Sequence, residues 1–145
     1  MGDWWTPLII RDLYFGINRF DALIEDLGMS RNLLAARLKH LTEEGLIARQ
    51  SDGGRITYAL TKAGEELVPI LAALTAWGDK WATPPDGTPL LFGHEGCCEV
   101  MTPTVCCGEC RQPLTAQNVM PQPGPGAKTA PGTQILAQLG EADAQ

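Results

Sequence analysis

MSRNLLAARLKHLTEEGL, residues 29–46, carries the marks of a helix bounded at both ends. Ser30 is suited to cap the N-terminus, because its side-chain oxygen can accept from a free amide of the first turn. Gly45 followed by apolar Leu46 suits a left-handed stop in which Leu46 packs back onto Leu41. Leu34, Leu38 and Leu41 recur at helical spacing and predict a narrow buried stripe. The opposite face carries Asn32, Ala35, Ala36 and Lys39, flanked by Arg31, Arg37 and His40. Small residues bordered by hydrogen-bonding and cationic ones fit a helix that approaches a nucleic-acid groove closely. An ordinary amphipathic helix with a solvated face would show the same pattern, so the neighbouring segments decide.

Upstream, the spacing predicts a helix over Trp4–Phe15, capped by Asp3 or Thr6, with Pro7 tolerated in the first turn. Trp5, Leu8, Ile9 and Leu13 are its expected core face, and Gly16 ends it. A second helix is expected after Asn18 as cap, with Asp21 complementing the helix dipole. Phe20, Leu23, Ile24 and Leu27 form its inner side. Only Gly28 and Met29 separate it from Ser30, the tight connection of a helix-turn-helix. Downstream the period changes to two. LIARQ (46–50), SDGG (51–54) and RITYAL (55–60) predict a hairpin turning at Asp52-Gly53. Ile56, Tyr58 and Leu60 should point inward, and Arg55 and Thr57 outward.

Thr61 then opens a longer helix running to Ala82, which Pro69 should kink or start later. Leu67, Ile70, Leu71, Leu74, Trp77 and Trp81 make an apolar stripe wider than one small domain needs. A second copy of the chain is the simplest cover for it, and packing on its own domain the alternative. The predicted class is α+β, mainly α: a winged helix-turn-helix over 1–82.

Composition bounds the function. The chain has 145 residues, 44% hydrophobic content and a net charge of −6. It has neither a secretory signal nor an apolar run long enough to span a membrane, so a cytoplasmic protein is expected. From Ser30 to Lys62, however, six basic residues face three acidic ones (Glu43, Glu44 and Asp52). A basic middle in an acidic chain is compatible with a DNA-binding face.

WWTPLIIRDLYFG (4–16), NRFDALIEDLGMSRNLLAARLKHLTEEGLIAR (18–49), YALTKAGEEL (58–67) and LAALTAWGDKW (71–81) together resemble the HxlR-type winged-helix transcription regulators. The resemblance covers about residues 3–81, and it is specific because apolar, glycine and tryptophan positions recur across four elements. It implies a homodimer that binds double-stranded DNA, with the helix at Ser30–Glu44 in the major groove and the wing on the flanking backbone. It also implies a dimer contact through Leu67, Leu71, Leu74, Trp77 and Trp81, and a family proline at Pro69. Three departures stand out. The chain starts almost at the tryptophans, where relatives carry a further helix, so either a late start codon or a shortened form is expected. The SDGG wing tip is short, and Pro7 replaces an aliphatic residue.

Past a linker read over 83–93, residues 94–119 hold all five cysteines, in His94-Glu-Gly-Cys97-Cys98 and Cys106-Cys107-Gly-Glu-Cys110. His94, Cys97, Cys107 and Cys110 form two ligand pairs with nine residues between them, a spacing that suits a structural zinc. Cys98 and Cys106 offer other registers, Arg111 stands where a zinc knuckle usually has glycine, and a small metal-free β unit is the competing reading. From residue 120 the chain reads as a disordered tail, since seven of the twelve residues 121–132 are Pro or Gly. TQILAQLGEADAQ (133–145) is at most a transient helix.

The pattern therefore points to a sequence-specific transcription regulator, expected to be a homodimeric repressor. Helical phase and the docking mode that the resemblance implies place Asn32, and Arg31 if it turns inward, at base edges. They place Ala35 and Ala36 for close approach or a thymine methyl, and Arg37, Lys39, Arg49 and Arg55 at phosphates. Ser30 is counted among the DNA-binding residues at the start of the helix. An interaction module that kept the fold without DNA binding is one alternative, and a thiol- or metal-responsive regulator another. Neither a nucleophile–base pair nor a nucleotide-binding loop supports an enzyme. The effector, if one exists, is not legible.

Overall fold

The computed structural model describes residues 5–127. It contains α1 (Trp5–Tyr14), α2 (Phe20–Leu27), α3 (Arg31–Glu43), β1 (Ile47–Asp52), β2 (Arg55–Leu60), α4 (Lys62–Glu65) and α5 (Val68–Ala82). The chain divides into two compact units, one ending at Pro103 and one beginning at Thr104. The first is a winged helix-turn-helix. Among the described residues no helix is long and apolar enough to cross a membrane.

The core assembles around α3. Leu34, Leu38 and Leu41 are at most 1% exposed, and burial of each contributes about 2 kcal/mol. They meet Ile9, Ile10 and Leu13 of α1, Leu23 of α2, Met29 and Ile47. The α1 face is wider than its spacing predicts. Ile10, Asp12 and Thr6 are buried too, whereas Trp5 and Leu8 are only half-buried. The reason is that α1 packs against α2, α3, β2 and α5, so more than one of its faces is covered. Thr6 therefore lies inside the helix and does not cap it; the other expected cap, Asp3, lies outside the described residues. Buried Asp12 takes two hydrogen bonds from Arg11, at 2.8 and 2.6 Å. Burial nevertheless pushes its carboxyl above the ordinary value, against the lowering effect of Arg11.

Asn18 does not cap α2 either. Arg19 occupies the cap position without a side-chain hydrogen bond. The Asn18 carbonyl instead accepts from Tyr58 N at 2.9 Å, tying the α1–α2 loop to β2. Gly28 ends α2 at φ 64, as its sequence position implies.

At the other end of α3 the expected stop forms in full. Gly45 has φ 72, its N–H donates to Thr42 O at 3.1 Å, and Leu46 N donates to Leu41 O at 3.0 Å. These two bonds define a Schellman motif. The hairpin that follows is antiparallel, but its turn is one residue later than predicted. Asp52 pairs with Arg55, and the two turn residues are Gly53 (φ 53) and Gly54 (φ 81). Positive φ at both positions is the type I′ condition, which Gly-Gly meets without side-chain strain. Tyr58 and Leu60 pack on the core as expected. Ile56 is 40% exposed, because it lies on the part of the wing that extends beyond the core.

The single helix expected from Thr61 is two helices. Thr61 caps α4, accepting from Gly64 N at 3.3 Å. Pro69 falls in the first turn of α5, where its missing N–H removes no helical bond. Thr61 also closes the domain backwards: its hydroxyl donates to Gly45 O at 2.6 Å and its N–H to Leu46 O at 3.0 Å. Residues 83–93, read as a linker, fall within the first unit. Gly87 N donates to Pro84 O in a turn. Leu90 and Phe92 then line a groove of about 200 Å³ with Pro7, Leu8 and Leu71, since two large apolar side chains are better buried than solvated. Of the tail read as disordered, residues 120–127 are described and include a turn in which Ala127 N donates to Gly124 O. TQILAQLGEADAQ lies outside the described residues.

Gly64 is where α4 meets the α3 stop. A Cβ there would stand 2.2 Å from Leu46 O, a backbone atom already hydrogen-bonded to Thr61. Gly64→Ala should therefore cost about 2 kcal/mol or more despite its better helix propensity. The urea midpoint of the full chain measures this; an unchanged midpoint would refute the close approach.

Candidate nucleic-acid interface

The solvent face of α3 is the first component of the site. Ser30 accepts from Leu33 N at 3.3 Å and starts the helix. Arg31, Asn32, Ala35, Ala36 and Lys39 are then all exposed on one side. Two alanines at its middle leave the helix surface low enough for a close approach. Arg37 is half-buried and stands apart from this exposed row.

Two of the cations are tethered. Arg31 Nη1 donates to Asp21 Oδ1 at 2.8 Å, and its guanidinium lies over the Phe20 ring, 5.1 Å from the centroid. Lys39 is 3.7 Å from Glu43, one turn on. Both pairs are exposed, so they add little stability and mainly orient the side chains.

The hairpin supplies the second component. Arg49 on β1 sits opposite Tyr58 in the strand register. Together with Phe20, Ala35, Lys39, Thr42 and Glu43 these residues line an open cleft of about 380 Å³ between α3 and the wing. The fold thus brings Lys39 and Arg49 to one cleft. Arg55 is exposed at the wing tip, away from that cleft. Phe20, Thr42 and Tyr58 were not legible as part of this surface. Phe20 and Tyr58 read as core from their periodicity, yet the edge of each helps wall the cleft. Thr42 gives no local signal, because its hydroxyl donates to Leu38 O at 2.7 Å within the helix.

A family model described as HxlR-like helix-turn-helix matches residues 1–86. The chain belongs to this family. It is 41% identical over 131 residues to an uncharacterized HTH-type transcriptional regulator of Mycobacterium tuberculosis, covering 88% of this chain and 83% of the relative. The crystal structure of PA1607, a candidate transcription factor, superposes with a TM-score of 0.72 at 31% identity, over 83% of this chain and 87% of that one. PA1374 of Pseudomonas aeruginosa, also a candidate transcription factor, is 27% identical with a TM-score of 0.61, over 95% and 93% of the two chains.

In this HxlR-like chain the α5 stripe divides. Leu67 and Leu71 pack against the domain's own core. Ile70, Leu74, Trp77 and Trp81 are 56–68% exposed and face solvent. The cysteine segment also divides, because the boundary between the units falls between its two pairs. In the first unit His94 and Cys98 form an antiparallel bridge, and Cys97 N donates to His94 O at 3.0 Å. In the second, Cys106 bridges Pro113, and Arg111 N donates to Cys107 O at 3.0 Å. Arg111 has φ 60, so the position where a knuckle usually has glycine is left-handed here as well. Hydrogen bonds from the Cys110 and Glu109 backbone and from the Cys110 side chain hold the Cys107 thiol below its ordinary pKa. Among the described residues, no three His, Cys, Asp or Glu side chains gather into a metal-ligand group.

Proposed function

We propose that this chain is a sequence-specific, DNA-binding transcription regulator that acts as a homodimeric repressor. The observation that carries the reading is the exposed face of α3, low at Ala35 and Ala36, beside a cleft that holds Lys39 and Arg49. An α-helix presenting such a face fits the width of the major groove. The relatives' designation as HTH-type transcriptional regulators supports the same assignment. In this reading Asn32 and Arg31 meet base edges, Ala35 and Ala36 admit the helix, and Lys39, Arg49 and Arg55 neutralise phosphates. Ser30 serves chiefly by starting the helix, and half-buried Arg37 contributes at the rim. The exposed quartet Ile70, Leu74, Trp77 and Trp81 is the proposed dimer seam. Leu67 and Leu71 support it from the core rather than lying in it.

Two measurements test this. Fluorescence anisotropy against duplex DNA from beside its own gene, at several salt concentrations, should show binding tighter than to scrambled DNA and falling steeply with salt. Asn32→Ala should relax preference at one position per half-site, while Lys39→Ala should weaken all sequences alike and reduce the salt slope by about 1. Identical behaviour of the two variants would sink these roles. In sedimentation, the wild type should run as a dimer and Trp77→Glu as a folded monomer; a wild-type monomer would remove the seam.

A metal-responsive form of the same regulator is a second reading, motivated by the Cys107–Cys110 turn and the left-handed Arg111 that follows it. Cys107 and Cys110 are the zinc ligands it proposes within the second unit. Purified full-length protein should then carry zinc that a chelator removes, with a change in DNA affinity. Protein that purifies zinc-free and takes up none would exclude it.

A further inference from the structure

Arg31 is restrained on the exposed face of α3. It is the first residue of the helix, directly after the Ser30 cap and beside Asn32. Two consecutive residues of α2 restrain it. The Phe20 ring lies beneath the guanidinium, 5.1 Å from Cζ, and Asp21 Oδ1 takes the Nη1 hydrogen at 2.8 Å. Packing of a planar cation on an aromatic face limits the tilt of its plane. A hydrogen bond from one corner limits rotation within that plane. The two restraints together favour one orientation of a planar fork, and 69% of the side chain stays open to solvent. Among the described residues, Nη1 is the only Arg31 nitrogen with a hydrogen-bond acceptor, so donors remain for a ligand.

The arrangement does not exist for stability. An ion pair with both partners about 70% exposed contributes almost nothing net. What it removes is the rotamer freedom that a long arginine would otherwise lose on binding. In the major groove, guanine presents two adjacent acceptors, N7 and O6, which match a pre-oriented guanidinium edge.

We propose that Arg31 reads a guanine in each half-site, with Phe20 and Asp21 as positioning residues that set its orientation. The proposal rests on the DNA-reading function above and adds to it one base and the residues that enforce it. It also gives α2 a role beyond bracing α3, since its first turn sets base preference without touching a base.

The test uses the full chain and a duplex selected from a random pool by the wild type. Affinities are measured for that duplex, for its guanine-to-adenine variants and for non-specific DNA. Arg31→Ala should abolish discrimination at one guanine per half-site, a loss on the order of tenfold. Asp21→Ala, at an exposed site, should weaken discrimination at that same guanine several-fold. Its affinity for non-specific DNA should stay level or rise, because a negative charge has been removed. That opposite movement separates positioning from a merely structural role, which would weaken both together. Phe20→Leu, which keeps an apolar group over the core, should reproduce the loss of discrimination. Full guanine discrimination in Asp21→Ala, with a selected wild-type sequence in hand, would overturn the positioning role while leaving the regulator intact. A wild type that selects no sequence would overturn both.

Discussion

The first unit is fastened by the stop that follows α3. Gly45, in a left-handed conformation, lets Leu46 turn back and bond to Leu41. The two carbonyls exposed by that turn, those of Gly45 and Leu46, are both met by Thr61. One residue therefore satisfies backbone groups at the end of α3, ends β2 and caps α4. Gly64 completes the joint, because only a hydrogen fits against Leu46 O. Without this fastening the hairpin would leave α3 at an undetermined angle. The cleft holding Lys39 and Arg49 would then have no fixed width.

This explains how a domain with a small core can present a defined surface. The buried stripe of α3 fixes its rotation about its own axis, since Leu34, Leu38 and Leu41 can face only one way. The Schellman stop fixes its far end, and the Asn18–Tyr58 backbone bond holds β2 against the α1–α2 loop. The exposed face is thus oriented by apolar packing on the other side of the same helix. Polar pairs such as Arg31–Asp21 then refine the side chains within that frame.

Beyond the winged helix the chain behaves differently. The exposed end of α5 keeps a row of large apolar groups that its own domain does not cover, a signature of an interaction surface. Residues 83–103 belong with the first unit, where Leu90 and Phe92 find apolar partners on α1 and α5. The second unit contains tight turns, one of them followed by Arg111 in the left-handed region.

Much of this was written locally. The ends of α3, its leucine stripe, the glycine stops at Gly28 and Gly45 and the existence of a hairpin follow from periodicity and capping chemistry, which act within a few residues. The separate start of α5 follows from the ring of Pro69. What the sequence could not settle were competitions decided at a distance. Asn18 is a good cap, but α2 starts after Arg19, and the Asn18 carbonyl accepts from Tyr58 N across the fold. Asp52-Gly53 is a favoured turn, yet the pairing of the strands placed Gly53-Gly54 at the bend. Asp12 and Ile10 were buried because several elements cover α1. The cleft residues and the Arg31 restraint unite side chains from α2, α3 and both strands. Local pattern dictates which elements form and which face is apolar; only packing in three dimensions determines which polar groups meet.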